Sequence, residues 1–116
     1  MISERINGAL KKFRLSDIDV QVYFFLANQG SNEIREIAVA LNLPEKTIRK
    51  SLKHLQTTRI VKASIEHPLE FMALPFERAL DLLIEIKKEQ AKTLKATREE
   101  LLSTWRSLTE KDDEKS

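Results

Sequence analysis

The chain has 116 residues, of which 41% are hydrophobic and 33% are charged, a composition typical of a single small domain that carries one long solvated element. It contains no cysteine, which excludes disulfides, thiolate zinc sites and cysteine nucleophiles. The net charge is only +2, too small to indicate nucleic-acid binding by itself. No segment reaches the ~18 consecutive apolar residues of a membrane span, so we expect a cytoplasmic protein without a membrane partner.

An enzymatic function has little support in the residue types present. The chain has two glycines and two histidines, and it lacks a phosphate-cradling glycine loop and a nucleophile elbow. His54 and His67 have no neighbouring pattern of metal ligands. We therefore predict no catalytic residues, no metal, no cofactor and no small-molecule ligand.

Two helices are predicted at the start of the chain. Residues 1–13 carry apolar side chains at helical spacing, namely Ile2, Ile6, Ala9, Leu10 and Phe13. The next helix, over residues 15–30, has Ser16 as a cap, Asp19 three residues later and Gly30 at its end. Its buried stripe is predicted to contain Ile18, Val22, Phe25 and Leu26, and it would support the segment that follows.

Residues 32–57 have the pattern of a helix-turn-helix. The first helix has an apolar stripe made of Ile34, Ile37, Ala38 and Leu41. Asn42 enters the left-handed conformation at little cost and can end that helix. Pro44 suits the first position of a second helix, which we place over residues 44–56.

This second helix is predicted to be the DNA-reading one, because its apolar stripe leaves a cationic face outside. Between residues 44 and 63 there are six basic side chains and one acidic side chain. A recognition helix inserts its N-terminal half into the major groove, where arginine and lysine reach guanine edges or phosphates. The alternative interpretation is that these basic residues form an ordinary solvated helix face that does not bind DNA. The predicted DNA-binding residues are Lys46, Thr47, Arg49, Lys50, Lys53, His54, Arg59 and Lys62.

Two short apolar runs after this helix predict a hairpin wing. Residues 59–65 alternate in the manner of a strand, and residues 70–74 form a second run after a connection that contains Pro68. The fold class is therefore mainly α: a winged helix-turn-helix over residues 1–75 with a short β-hairpin. Glu66 and Glu70 make the wing acidic, so we expect weaker DNA contact from it than from a basic wing.

Residues 76–108 contain no glycine or proline and are predicted to form one long dimerisation helix. Apolar residues recur at alternating spacings of four and three, the pattern of a coiled-coil seam, with Lys87 and Arg98 as the two breaks. A helix folded back over its own domain is the alternative. The predicted dimer interface consists of Leu80, Ile84, Ala91, Leu94, Leu101, Trp105 and Leu108. The charged residues 109–116 are predicted to be a disordered tail.

These stretches resemble the TrmB family of winged-helix transcriptional regulators over Leu15 to about Leu94. The segments LSDIDVQVYFFLANQG, EIREIAVALNLPEKTIRKSLKHL and FMALPFERALDLLIEIKKE carry the resemblance, although the helix-turn-helix alone would also suit regulators of the MarR or ArsR type. The resemblance implies that residues 44–56 read DNA and that the helix after the wing pairs two protomers. Full-length members also carry a C-terminal domain that binds sugars. No sugar-binding site can be assigned in this sequence, so the chain resembles a minimal form of the family.

The sequence thus predicts a homodimeric regulator that binds double-stranded DNA sequence-specifically. The alternative is a winged-helix adaptor that binds another protein through its acidic wing and long helix, since fold alone does not decide function. The cationic face of the second helix favours DNA, because an adaptor has little need of it.

Overall fold

A computed structural model of the chain describes the backbone of residues 3–115 and the side chains of residues 3–110. Within these residues there are five helices and one two-stranded antiparallel sheet. The elements are α1 (Glu4–Lys11), α2 (Asp17–Gln29), α3 (Ile34–Leu41), α4 (Glu45–Thr57), β1 (Val61–Ala63), β2 (Phe71–Ala73) and α5 (Phe76–Lys115). The predicted fold class, a mainly helical winged helix-turn-helix with a short hairpin and a long C-terminal helix, is confirmed.

The chain divides into two compact units, Met1–Ile84 and Glu85–Ser116. This division falls later than the predicted boundary after residue 75. The reason is that Ala79 and Leu83, in the first turns of α5, are buried in the core of the first unit. Leu80 is half-buried and Ile84 is 41% exposed, so the first two predicted seam positions belong to this first unit, next to the buried pair.

Helix ends in the first unit are set by local hydrogen bonds. The Ser16 hydroxyl accepts from the Asp19 N–H at 3.0 Å, and the Asp19 carboxylate accepts from the Ser16 N–H at 3.0 Å, which completes the capping box that starts α2. Gly30 ends α2 with a φ of 82°. Asn42 ends α3 in the left-handed conformation, with φ 55° and ψ 49°, and the Leu43 N–H then donates to the Ala38 carbonyl.

The core of the first unit lies between α2, α3, α4 and the sheet. Its most completely buried large side chains are Leu26, Ile37, Ile48, Leu52, Leu55 and Ile60. Tyr23 joins the start of the chain to the segment after the wing, since its hydroxyl donates to the Leu74 carbonyl at 2.6 Å. Asn32 and Phe71 exchange backbone hydrogen bonds, so the segment before α3 pairs with β2.

Several predicted boundaries differ from the observed ones. Helix α1 begins after Ser3, whose hydroxyl accepts from the Ile6 N–H, and ends at Lys11; Ile2 lies outside the described residues. Pro44 has an extended ψ of 146°, so it caps α4 rather than starting it. Arg59 has a φ of 66°, which confines β1 to the residues after it.

The last helix is longer than predicted. We predicted an end at Leu108, but α5 continues to Lys115, and Ser116 lies outside the described residues. No glycine or proline interrupts this stretch, and the Thr109 hydroxyl donates to the Trp105 carbonyl of the preceding turn.

Candidate nucleic-acid interface

Helix α4 has one buried apolar face and one exposed cationic face. Ile48, Leu52 and Leu55 are each at most 1% exposed because they recur at helical spacing and pack into the core. The opposite face is exposed and carries Lys46, Arg49, Lys50 and Lys53. Thr47 is half-buried at the border between the two faces. The predicted recognition helix therefore presents its basic residues outward.

A buried carboxylate fixes α4 against α2. Asp19 is 4% exposed, and it accepts a hydrogen bond of 2.6 Å from the Ser51 hydroxyl. Its other carboxylate oxygen lies 2.7 Å from Nδ1 of His54. Burial alone would raise the pKa of Asp19, but the hydrogen bonds from Ser51, the Ser16 backbone and His54 lower it below its ordinary value of 3.8. Asp19 thus stays ionised and holds the middle and the end of α4.

His54 has a structural contact that the sequence did not reveal. We predicted that it would approach DNA phosphates, yet its Nδ1 is engaged by Asp19. The side chain remains 43% exposed. Because Nδ1 is occupied, any contact between His54 and DNA would be made through Nε2.

Arg49 is paired loosely within its own helix. Its guanidinium lies 3.7 Å from the Glu45 carboxylate one turn earlier, and both side chains are more than half exposed. An exposed pair of this kind contributes about 0.3–0.5 kcal/mol. Arg49 can therefore exchange this carboxylate for another anion or for a base edge at little cost.

Two of the predicted DNA-binding residues lie outside helix α4. Arg59 follows the end of α4 in the left-handed conformation, and Lys62 is the exposed residue of β1, opposite Met72 on β2. The loop of the wing carries Glu66 and Glu70 with no basic residue except His67, as expected from the sequence. Its Ile65 side chain is fully exposed.

An open cleft of about 560 Å³ separates the start of α2 from α4. It is lined by Arg14, Ser16, Ile18 and Asp19 on one side and by Lys46, Thr47, Lys50, Ser51 and His54 on the other. Sequence reasoning missed Arg14 as a neighbour of α4. No local pattern marks it, because the turn between α1 and α2, where Arg14 has a φ of 67°, brings it there.

The second unit has an apolar stripe along α5. Leu94, Leu101, Trp105 and Leu108 are between 59% and 71% exposed, and they line a shallow apolar groove together with Leu102 and the stems of Lys95 and Arg98. Ala91, the remaining predicted interface residue of this unit, is also exposed. Such a stripe on one helix is the surface that a coiled coil buries.

Across the described residues there is no cluster of three or more histidine, cysteine or acidic side chains that could hold a metal ion. None of the described helices is long and apolar enough to cross a membrane.

Comparison with known families decides the classification of this winged helix. Residues 10–77, more than half of the chain, match the family described as sugar-specific transcriptional regulator TrmB. The chain belongs to the TrmB family. The resemblance to this family stated from the sequence is thus confirmed. Members of the family are transcriptional regulators and not enzymes, in agreement with the prediction that the chain has no catalytic residues.

Two further similarities extend over most of the chain. An uncharacterized protein of Methanocaldococcus jannaschii is 27% identical, and the match covers 73% of this chain and 83% of that protein. A possible transcriptional regulator from Methanosarcina mazei superposes with a TM-score of 0.64 at 16% identity, covering 82% of this chain and 87% of the other.

A more distant similarity covers nearly the whole chain. A mutant of S. aureus MepR, solved with a bound oligodeoxyribonucleotide, superposes with a TM-score of 0.55 at 15% identity, covering 97% of this chain and 88% of the other. At such identities the similarity of both solved structures shows the shared fold.

Proposed function

We propose that this TrmB-family protein is a homodimeric transcriptional regulator that binds double-stranded DNA sequence-specifically, with α4 in the major groove. The observation that carries the proposal is the outward cationic face of α4, with Lys46, Arg49, Lys50 and Lys53 exposed over a buried apolar face. Arginine and lysine on a recognition helix contact base edges and phosphates. The bound oligodeoxyribonucleotide of the MepR mutant supports the same use of this fold.

The roles of the residues follow from their positions. Lys46, Thr47, Arg49 and Lys50 belong to the N-terminal half of α4 and would approach bases. Lys53, Arg59 and Lys62 are exposed further along the chain and would approach phosphates, as would Nε2 of His54. Phosphate contacts set the register of the protein on the duplex, and base contacts supply the specificity.

Dimerisation is supported by the apolar stripe of α5. Leu94, Leu101, Trp105 and Leu108 recur at the alternating spacing of a coiled-coil seam and are largely exposed in a single chain. Pairing with a second copy would bury them. Two recognition helices in one dimer would then read two half-sites about one helical turn apart.

A second candidate function is a protein adaptor, which the wing favours. Its loop exposes Ile65 completely and carries the carboxylates of Glu66 and Glu70, a poor match to a phosphate backbone. An adaptor of this kind would bind a protein through the wing and would show no preference among DNA sequences.

The deciding experiment is selection of bound duplexes from a random pool, followed by measurement of affinity against salt concentration and of mass in solution. A recoverable motif with two half-sites, bound by a dimer with log K falling steeply against log salt, supports the proposal. Absence of binding at low salt by an intact dimer would contradict it and would leave the adaptor as the better explanation.

A further inference from the structure

The cleft between the start of α2 and α4 has an excess of positive charge. Arg14, Lys46 and Lys50 line it from two different elements, and among the described residues none of the three forms an ion pair. By contrast, Lys11 lies 2.6 Å from the Asp17 carboxylate, and Arg49 of α4 is near Glu45. The cleft is therefore lined by three cations that have no ion-pair partner among the described residues.

The one carboxylate that lines the cleft does not neutralise these cations. Asp19 is 4% exposed, and both of its oxygens are engaged by Ser51, by His54 and by the Ser16 backbone. Its oxygens are therefore satisfied by hydrogen bonds within the fold, and the cleft lining keeps three cations against this one carboxylate. An anion that enters the cleft would meet the guanidinium of Arg14 in the positive field of Lys46 and Lys50, whose ammonium groups would still be available to approach bases.

We propose that this cleft binds one backbone phosphate of the DNA, with Arg14 as a phosphate ligand; the inference rests on the proposed function. The ligand is a DNA phosphate because Lys46 and Lys50 share the face of α4 that would enter the groove, and a phosphate strand borders that groove. Arginine offers a planar fork of donors that matches phosphate oxygens in two parallel hydrogen bonds. Held by Arg14 in the turn before α2 and lying beside α4, this phosphate would fix the depth and register of α4 in the groove.

The backbone at Arg14 makes a clean test possible. Its φ of 67° lies in the left-handed region, where glycine is accommodated without strain, and its side chain is exposed. Arg14→Gly therefore removes the guanidinium without threatening the fold. Arg5→Ala is the matched control, because Arg5 is an exposed arginine of α1 that does not line the cleft. It removes the same charge from the helix that precedes the turn.

Affinity for the selected duplex, measured against salt, gives the first result. We expect Arg14→Gly to weaken binding about tenfold at low salt. It should also reduce the slope of log K against log salt by about one for each chain on the operator. Arg5→Ala should change neither quantity appreciably. An Arg14→Gly slope equal to that of the wild type would overturn the phosphate assignment.

Phosphate mapping locates the contact. Duplexes with single neutral methylphosphonate linkages should include one linkage per half-site that weakens the wild type but does not weaken Arg14→Gly further. If every linkage affects the two proteins equally, the cleft binds no phosphate and the proposal fails, while the DNA-binding function stands. If the wild type binds no duplex at all, the function itself has failed, so the two failures are distinguishable.

A last measurement separates a DNA phosphate from a free anion. Inorganic phosphate titrated into the protein alone, followed through the thermal midpoint of unfolding, should give no saturable effect that differs between the wild type and Arg14→Gly. A saturable stabilisation that Arg14→Gly abolishes would overturn the DNA assignment and would identify the cleft as a site for a small phosphate ligand.

Discussion

The Ser51 hydroxyl donates a 2.6 Å hydrogen bond to the buried carboxylate of Asp19, which ties helix α4 to helix α2 across 32 positions of sequence. The same carboxylate closes the capping box of α2 and meets His54. One side chain therefore starts one helix and orients another. Loss of this contact should affect both the stability of the fold and the position of the cationic face of α4.

Substitutions at this pair should cost different amounts of stability. Asp19→Ala leaves the Ser51 hydroxyl and the Ser16 N–H without their partner, so we expect a loss of about 2–4 kcal/mol in the free energy of unfolding. Ser51→Ala removes one hydrogen bond and should cost about 1–2 kcal/mol. Urea unfolding of both variants and of the double variant measures their coupling. Strictly additive losses would contradict an interaction between them.

Acid should weaken the fold through Asp19. Its pKa is lowered in the folded protein, so its ionised form contributes stability that is fully present above the ordinary value of 3.8 and is lost as pH falls through the folded pKa. We expect the free energy of unfolding to decrease over this acidic range. Asp19→Asn should be less stable at neutral pH and should lose less on acidification. Parallel pH profiles for the two proteins would contradict this assignment.

Ionisation of Tyr23 should weaken the fold at alkaline pH. Burial raises the pKa of its phenol from 10.0 to about 12. The stability that this raised pKa provides is fully present below pH 10.0 and is lost as pH rises through about 12. Because Tyr23 is the single tyrosine in the chain, phenolate absorbance reports it alone. Titration near 10.0 in the folded protein would show that the phenol is not buried as described.

The importance of the α4 face can be tested at Arg49. If Arg49 contacts a guanine, Arg49→Ala should cost about 1–3 kcal/mol in binding and relax specificity at one base position. Folding should be unaffected, because the Glu45 pair that is lost is exposed. Glu45→Gln is an informative counterpart, since it frees Arg49 and removes a negative charge beside the DNA, and it should tighten binding. Equal weakening of Arg49→Ala on all sequences would place Arg49 on the phosphate backbone.

The sequence predicted those features that depend on neighbouring residues. Ser16 and Asp19 mark the start of α2 within four positions, and Asn42 marks the turn of the helix-turn-helix, so periodicity and capping chemistry located these elements. The same reasoning predicted that the basic residues of α4 face outward. It missed the approach of Arg14 to α4 and the contact between Asp19 and His54, which are 35 positions apart. Only tertiary packing creates such neighbours, and a capping role already explained Asp19 in the sequence.

The last prediction concerns the proposed dimer, and a substitution in α5 tests it. Leu101 is 61% exposed in the single chain, so Leu101→Glu should leave the fold of each protomer intact. In a dimer it would place two carboxylates in an apolar seam and raise the dissociation constant about a hundredfold or more. Ser103→Glu adds the same charge in the same turn but away from the seam, and it should leave the dimer unchanged.

Mass in solution and the emission of Trp105, the single tryptophan, record the outcome together. We expect Leu101→Glu to give the 13.4 kDa monomer and to shift the emission of Trp105 to longer wavelength, because the indole returns to water. Operator affinity should fall as well, since two linked recognition helices bind far more tightly than one. A wild-type monomer whose emission already matches that of Leu101→Glu would show that α5 does not pair, and the two-half-site operator would then have no structural basis.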